Sequence, residues 1–351
     1  MKTLAVIGAS YLQRPIVERA KQMGIRTICF AWPQGAVCKE LCDVFYPVSI
    51  TKKEEILRIC REEHIDGICT IASDVAAPTV AFVAQQMGLT GNDYEASLRA
   101  HDKHQMREAL VKAGVNCPKY RVVTRNATIE SDGLDLPLIV KPSDRSGSLG
   151  VKKIERWDEL EAAVREAEEL SIVGEALIEE FIEGREISVE TISCNGVHYA
   201  LQITDKTTTG APHFVELAHH QPSTLPVSTQ ERIFAVTRKA LDALGLTNGA
   251  GHSEYKLTND GRIVVMEIGG RMGGDFIGSH LVQLSTGYDF LQGVIEVALG
   301  ETIHPNPQPI GRSSVVFTAP KDVSCSAQRT GYIIYKNDEI YQQSVGGSAD
   351  I

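Results

Sequence analysis

Glu254 and Glu267 lie in two β-prone runs, "GHSEYKLT" and "RIVVMEIG", joined by the turn Asn259-Asp260-Gly261. Twelve residues intervene between the two acids, so one tight turn can bring both carboxylates to the same level on one face of a hairpin. Side by side on a bare sheet they repel each other. Oxygen-only donors in that arrangement suit Mg²⁺, or Mn²⁺, which completes its shell with water and phosphate oxygens. The alternative is a pair of solvent-facing acids on an exposed sheet.

The stretch that follows, "MEIGGRMGGD", sets Gly269, Gly270, Gly273 and Gly274 around Arg271. Glycines at a strand end let the backbone approach a ligand closely, and Arg271 adds a fixed positive charge. A bulged strand with a glycine turn and an exposed arginine is the competing reading. Upstream, "IVKPSDRSGSLGV" puts Lys141 at the end of a buried strand, before a loop from Ser143 to Gly150 whose amides can wrap phosphates. The lysine precedes the loop, so this is not a Walker motif, and a flexible surface loop is the alternative. In "LIEEFIEGRE" the run Glu179-Glu180-Phe181-Ile182 offers backbone donors and acceptors beside an apolar side chain, which suits the edge of an adenine ring.

The elements that must position these groups follow from periodicity. "KTLAVIGAS", "IRTICFA" and "IDGICTIAS" read as buried strands alternating with the helices "QRPIVERAKQMG", "KKEEILRICREEH" and "VAAPTVAFVAQQMG", a doubly wound unit over residues 1–99. Its first turn has only Gly8 and lacks GxGxxG, which argues against a dinucleotide fold. Asp74, just past a strand end, is expected to cap the next helix. Residues 100–183 bring a helix, "KHQMREALVKAG", then strand, polar loop, helix and strand. Residues 184–351 read as meandering strands with the turn Asn195-Gly196, one long helix and the carboxylate hairpin. The chain is therefore α/β with α+β elements. Its last stretch has strand-like pieces but no closing helix, as if the chain continued.

Composition narrows the function. A net charge of -10 argues against a nucleic-acid or membrane surface, and no apolar run approaches the roughly 20 residues of a membrane span. The N-terminus lacks a secretion-type core, so a cytoplasmic protein is expected. Eight cysteines form no CxxC pair and read as reduced thiols, Cys38 and Cys42 being at most half a metal site.

Lys103, Lys141, the Ser/Gly loop, the Glu-Glu-Phe-Ile strand and the two glutamates occur in the order and rough spacing of the ATP-grasp superfamily. From Lys103 to about Leu299 the chain resembles its carboxylate–amine ligases, and "GLTNGAGHSEYKLTNDGRIVVMEIGGRMGGD" looks most like the L-amino-acid ligase branch. The first hundred residues resemble the Rossmann-like pre-ATP-grasp domain, so residues 100–183 would be the ATP-grasp lid with its leading helix and 184–351 the catalytic subdomain. The resemblance implies Lys103 and Lys141 on the ATP phosphates, and a mobile phosphate cover around Ser146, Gly147, Ser148 and Gly150. It implies Glu179 facing the adenine amino group, the backbones of Glu180 and Ile182 beside Phe181 reading the ring edge, and Glu186 on the ribose. Glu254 and Glu267 would hold magnesium, and Arg271 would contact the transferring phosphoryl group. Gly273 and Gly274 would approach the acyl phosphate.

In related ligases a loop at "HFVELAHHQPSTLP" borders the acyl site, so Glu216, His219 and His220 are candidates there, although paired loop histidines are also commonly solvated. His252 would support the metal ligand Glu254. The family often carries Asn two residues after the second glutamate, where this chain has Gly269, which weakens a two-metal site. The implied activity is ATP-dependent joining of a small-molecule carboxylate to an amine through an acylphosphate. Alternatives are a purine-pathway or carbamoyl-type ligase, or an ATP-binding regulatory module. A homodimer is implied by resemblance alone.

Overall fold

A computed structural model describes every residue except 126, 130–132, 146–148, 211–214, 319–330 and 346–351. Strands β1 (Thr3–Ile7), β2 (Arg26–Phe30), β3 (Val44–Tyr46) and β4 (Gly67–Cys69) form a parallel sheet in the order β3-β2-β1-β4. Helix α1 (Arg14–Gln22) crosses from β1 to β2, α2 (Lys53–Glu62) from β3 to β4, and α3 (Ala77–Met87) follows β4. Every residue of β1 is buried, as a strand covered on both faces requires. Pro78 sits in the first turn of α3, where its missing N–H costs nothing.

After α4 (Tyr94–His101), Asp102 caps α5 (Lys103–Lys112) by accepting from the Gln105 amide at 2.8 Å, which fixes Lys103 at the start of that helix. Strands β5 (Tyr120–Thr124), β6 (Leu138–Pro142), β7 (Lys152–Ile154) and β8 (Glu175–Glu180) then form an antiparallel sheet, β5-β8-β6-β7. Helix α6 (Leu160–Leu170) covers one face of it and shares a core with Leu138, Val140 and Ile178.

The third layer is an eight-stranded antiparallel sheet. It contains β9 (Arg185–Cys194), β10 (Val197–Thr208), β11 (Glu216–Gln221), β12 (Gly249–Leu257), β13 (Ile263–Gly269), β14 (Ser313–Thr318), β15 (Gly331–Lys336) and β16 (Glu339–Val345). Their order is β13-β12-β9-β10-β11-β14-β15-β16. Asn195 and Gly196, both at positive φ, make the turn expected between β9 and β10. Helix α7 (Val227–Leu244) packs on this sheet, and its core takes in Met106 and Leu110 of α5. Thus α5 is anchored beneath the eight-stranded sheet while its first residue faces the smaller one. Helices α8 (Val282–Thr286) and α9 (Phe290–Ala298) follow, and α9 shares one core with α1, β1 and β9.

One expectation of the fold is corrected. The segment expected as a loop around His219 and His220 is strand β11, with His219 and Gln221 buried and His220 between them exposed, and it pairs with both β10 and β14. The strand-like pieces expected in the last stretch are strands β15 and β16, joined as a hairpin across Asn337-Asp338. Among the described residues no helix is long and apolar enough to cross a membrane, and the seven described cysteines are free thiols.

Candidate active site

A cleft opens between the smaller antiparallel sheet and the eight-stranded one, lined by residues of both. Ile139, Val151, Phe181, Ile182 and Met266 give it apolar wall. Lys103, Lys141, Lys206, Glu254 and Glu267 line it with charge. The sequence places Lys103 and Lys141 apart by 38 positions; the cap on α5 and the end of β6 bring them into the same cleft, with the Lys103 amide donating to the Ser143 carbonyl at 2.9 Å.

Glu179 does line the cleft, but its carboxylate does not point freely at a ligand. Arg107 Nε donates to one oxygen at 2.7 Å and Lys141 Nζ reaches the other at 2.6 Å, all three side chains being buried. This corrects the expectation that the Glu179 side chain faces an adenine amino group. Burial opposes its ionisation, yet Arg107 and Lys141 together hold the carboxyl at about 2. For Lys141 burial outweighs Glu179 and pulls the ammonium below the usual lysine range. The Glu180 amide is committed to the Lys119 carbonyl. Lys153 and Lys256 lie over the Phe181 ring, and Lys256 pairs with Glu186 at 3.1 Å.

The carboxylate hairpin has the expected register: Glu254 is directly opposite Glu267. A bulge follows, with Met266 as the extra residue, and the carbonyl this frees accepts from Arg107 Nη2 at 2.7 Å. Each acid has its own lysine, Lys206 at 2.6 Å from Glu254 Oε1 and Lys103 at 3.0 Å from Glu267 Oε1. Lysines, not proximity to solvent, relieve the like-charge repulsion. Oε2 of both residues keeps no protein partner among the described residues, so two carboxylate oxygens face the cleft as donors for a hard divalent ion.

Behind the hairpin, register places Glu190 of β9, His252 of β12 and Gly269 of β13 in one row. His252 bonds Glu190 through Nδ1 and Glu254 through Nε2, the latter at 3.2 Å, so it ties a buried acid to a cleft acid. Glu190 also accepts from the Gly273 amide at 2.9 Å. A Cβ at Gly273 would sit 2.6 Å from Glu190 Oε1 and 2.7 Å from His252 Nδ1, so any side chain there must displace one of these groups or the loop itself. Gly273→Ala is therefore expected to push the loop off Glu190 and expose the Gly273–Gly274 backbone, measured as faster hydrogen exchange at those amides. Gly274 is freer, its Cβ position meeting only Ala72.

Arg271 does not stand alone. It makes a two-pronged pair with Asp74, and a Cβ at Gly269 would lie 2.6 Å from the Asp74 carboxylate, which is a physical reason for glycine there. The cap expected of Asp74 is absent: Ser73 Oγ accepts from the Ala76 amide instead.

At the far side of Lys206, His219 lies fully buried between Glu216 at 3.2 Å and Asp275 at 3.6 Å. Lys206 also bonds Glu216, so an unbroken chain of charges runs from Asp275 to Glu254. Burial works against the charge of Lys206, but Glu254 and Glu216 hold it above the ordinary lysine range. His220 is exposed and outside this chain. Gly150 takes a positive φ with no room for a side chain against Leu170, whereas Ser146, Gly147 and Ser148 lie outside the described residues.

Sequence reasoning missed Arg107, Lys206, Glu190 and Asp275. Arg107 had a signal, since it is one helical turn after Lys103. Glu190 is a single charge within a β-branched run, a pattern that asks for a buried partner without saying which, while Lys206 stands beside Asp205 and carries less of that signal.

Residues 134–279 match the family model of the ATP-grasp domain. The alanine–anticapsin ligase of Bacillus amyloliquefaciens is 31% identical over 247 residues, covering 63% of this chain and 51% of that protein. The chain thus spans about half the length of the alanine–anticapsin ligases it matches. The D-alanine–D-alanine ligase of Geobacter sulfurreducens is 28% identical, over 67% of this chain and 76% of its own. Among solved structures, the L-amino acid ligase of Bacillus licheniformis superposes with a TM-score of 0.79 at 27% identity, covering 90% of this chain and 80% of that one.

Proposed function

The chain is an ATP-grasp protein, and from that premise we propose that it joins a carboxylate of the amino-acid class to an amine, converting ATP to ADP and phosphate. The observation that carries this reading is the cross-strand pair Glu254 and Glu267. Each keeps one oxygen for a cation, in a cleft where Lys103 and Lys141 supply positive charge. The amino-acid class is supported by relatives named as ligases of alanine and of L-amino acids.

In this reading a substrate carboxylate oxygen attacks the γ-phosphorus, the bond to the β,γ-bridging oxygen breaks, and ADP leaves an acylphosphate. The amine then attacks the acyl carbon, phosphate departs, and the amine loses its proton. Both first reactants are anions. Lys103, Lys141 and Lys206 offset that repulsion, and Arg271 stabilises charge on the transferring phosphoryl group, an electrostatic role worth about 3–4 kcal/mol in comparable sites. Mg²⁺, with Mn²⁺ as a substitute, would be held by Glu254 and Glu267 and would polarise phosphate oxygens.

The adenine edge is read by the Glu180 carbonyl and the Ile182 backbone beside Phe181, and the ribose by Glu186. Glu179 acts by fixing Lys141. Glu216 and His219 border the substrate, with Asp275 beside them, and Gly273 and Gly274 leave room for the acylphosphate. Residues 1–99, 100–183 and 184–351 serve as pre-ATP-grasp domain, lid with its leading helix, and catalytic subdomain.

An ATP assay across amino acids offered singly and in pairs tests the proposal. ADP and phosphate should appear only with an accepted amino acid. AMP and pyrophosphate would mean adenylation, and ATP binding without turnover in any mixture would favour a regulatory module.

A further inference from the structure

We propose that Asp74, on the loop leaving β4 of the N-terminal sheet, is the positioning residue for Arg271, so that the first α/β unit supplies part of the reaction centre. The inference rests on the reading of Arg271 given above. Arg271 Nε donates to Asp74 Oδ1 at 2.8 Å and Nη2 to Oδ2 at 2.6 Å. Both side chains are largely buried, 13% and 15% exposed. A guanidinium has two edges. Asp74 takes the Nε/Nη2 edge, while among the described residues Nη1 meets only the Met272 carbonyl, at a long 3.4 Å. One edge is thus clamped and the other remains to face a phosphoryl group, with its plane already set.

The surroundings are built for this pair. The loop carrying Asp74 is joined to the loop carrying Arg271 by a parallel bridge between Ile71 and Met272, and the Ala72 amide donates to the Met272 carbonyl at 3.0 Å. Gln13 Nε2 holds the Ile71 carbonyl at 2.7 Å, and Ala72 adopts φ 56°, a conformation uncommon for alanine. Gly269 completes the arrangement, because a Cβ there would lie 2.6 Å from Asp74 Oδ1 and 3.2 Å from Arg271 Nε. A plain inter-unit staple is the competing account. The backbone bridge already supplies that staple, and a buried ion pair adds little net stability once desolvation is counted. What the pair adds is a fixed orientation, and orientation matters most for a group that meets a transition state.

The test compares Asp74→Asn, Arg271→Lys and the double variant, with Gly269→Ala as a variant that displaces the carboxylate while keeping both charges. Asp74→Asn should lower kcat about 10- to 100-fold with KM for ATP within about twofold. In the Arg271→Lys background it should cost nothing further, since Asp74 acts through Arg271. Gly269→Ala should reproduce the loss, and it carries the test should Asp74→Asn fail to fold by its thermal midpoint. Hydrogen exchange at the Met272–Gly274 amides should rise several-fold in Asp74→Asn, a readout independent of turnover.

An Asp74→Asn enzyme with normal kcat and normal exchange overturns the inference. So do equal losses in both backgrounds, which would make the residue a staple. Full activity in Arg271→Lys would instead overturn the assignment of Arg271 itself.

Discussion

Glu267→Gln is expected to lower metal-dependent ATP turnover by roughly 10²–10³-fold while leaving a folded protein that still binds the adenosine portion of its substrate. The substitution keeps the volume of the side chain and one oxygen for Lys103, which also donates to the Arg145 carbonyl at 2.7 Å and so keeps a partner. What it removes is one of the two anionic oxygens left for a divalent ion. A neutral amide is a poor ligand for Mg²⁺, and the ion's half-occupied site would neutralise less of the triphosphate. Titrating Mg²⁺ in the variant should move the half-saturating concentration upward at least tenfold. Full activity at the wild-type Mg²⁺ requirement would refute the metal assignment, and loss of folding at the same midpoint shift would show a structural role instead. Glu254→Gln should do the same with an added stability cost, because Glu254 is shared by Lys206 and His252.

Glu179→Ala should be the most damaging change to the fold among the cleft residues. It leaves Arg107 and Lys141 buried without their counter-ion, and stranding a buried partner in this way costs about 3–5 kcal/mol. Arg107 keeps the Met266 carbonyl, so the loss falls most on Lys141, which is already below the ordinary lysine range. By contrast Glu18→Ala, which breaks an exposed pair with Arg14 one helical turn away, should change stability by no more than about 0.5 kcal/mol. Denaturant midpoints of the two variants decide the matter, and equal effects would show that burial of the Glu179 cluster is overstated.

The same cluster sets an acid limit. The folded carboxyl sits at about 2, below the ordinary value of about 4.5. Its contribution is therefore fully present above about pH 4.5 and is lost as pH falls through the window from there to about 2. Glu179→Gln should flatten the pH dependence of stability within that window.

Much of the architecture was legible in the chain. The βαβ alternation of the first hundred residues, the turn at Asn195-Gly196 and the Glu254/Glu267 register are written in short-range patterns of apolar period, turn residues and spacing. Local rules are enough for these, since a strand's face and a two-residue turn depend on neighbours in sequence. Strand β11 was misread because one inward histidine and one outward histidine look like a polar loop until β14, almost a hundred residues later, is there to pair with it.

The partners of the charges belonged wholly to the tertiary structure. That Glu179 is spent on Arg107 and Lys141, that Asp74 clamps Arg271 across 197 positions, and that Gly269 must be bare for it follow from where three sheets meet. Sequence declares which residues are charged and which segments are stiff. Which opposite charge a buried group finds is decided only when packing removes water and leaves one neighbour within reach.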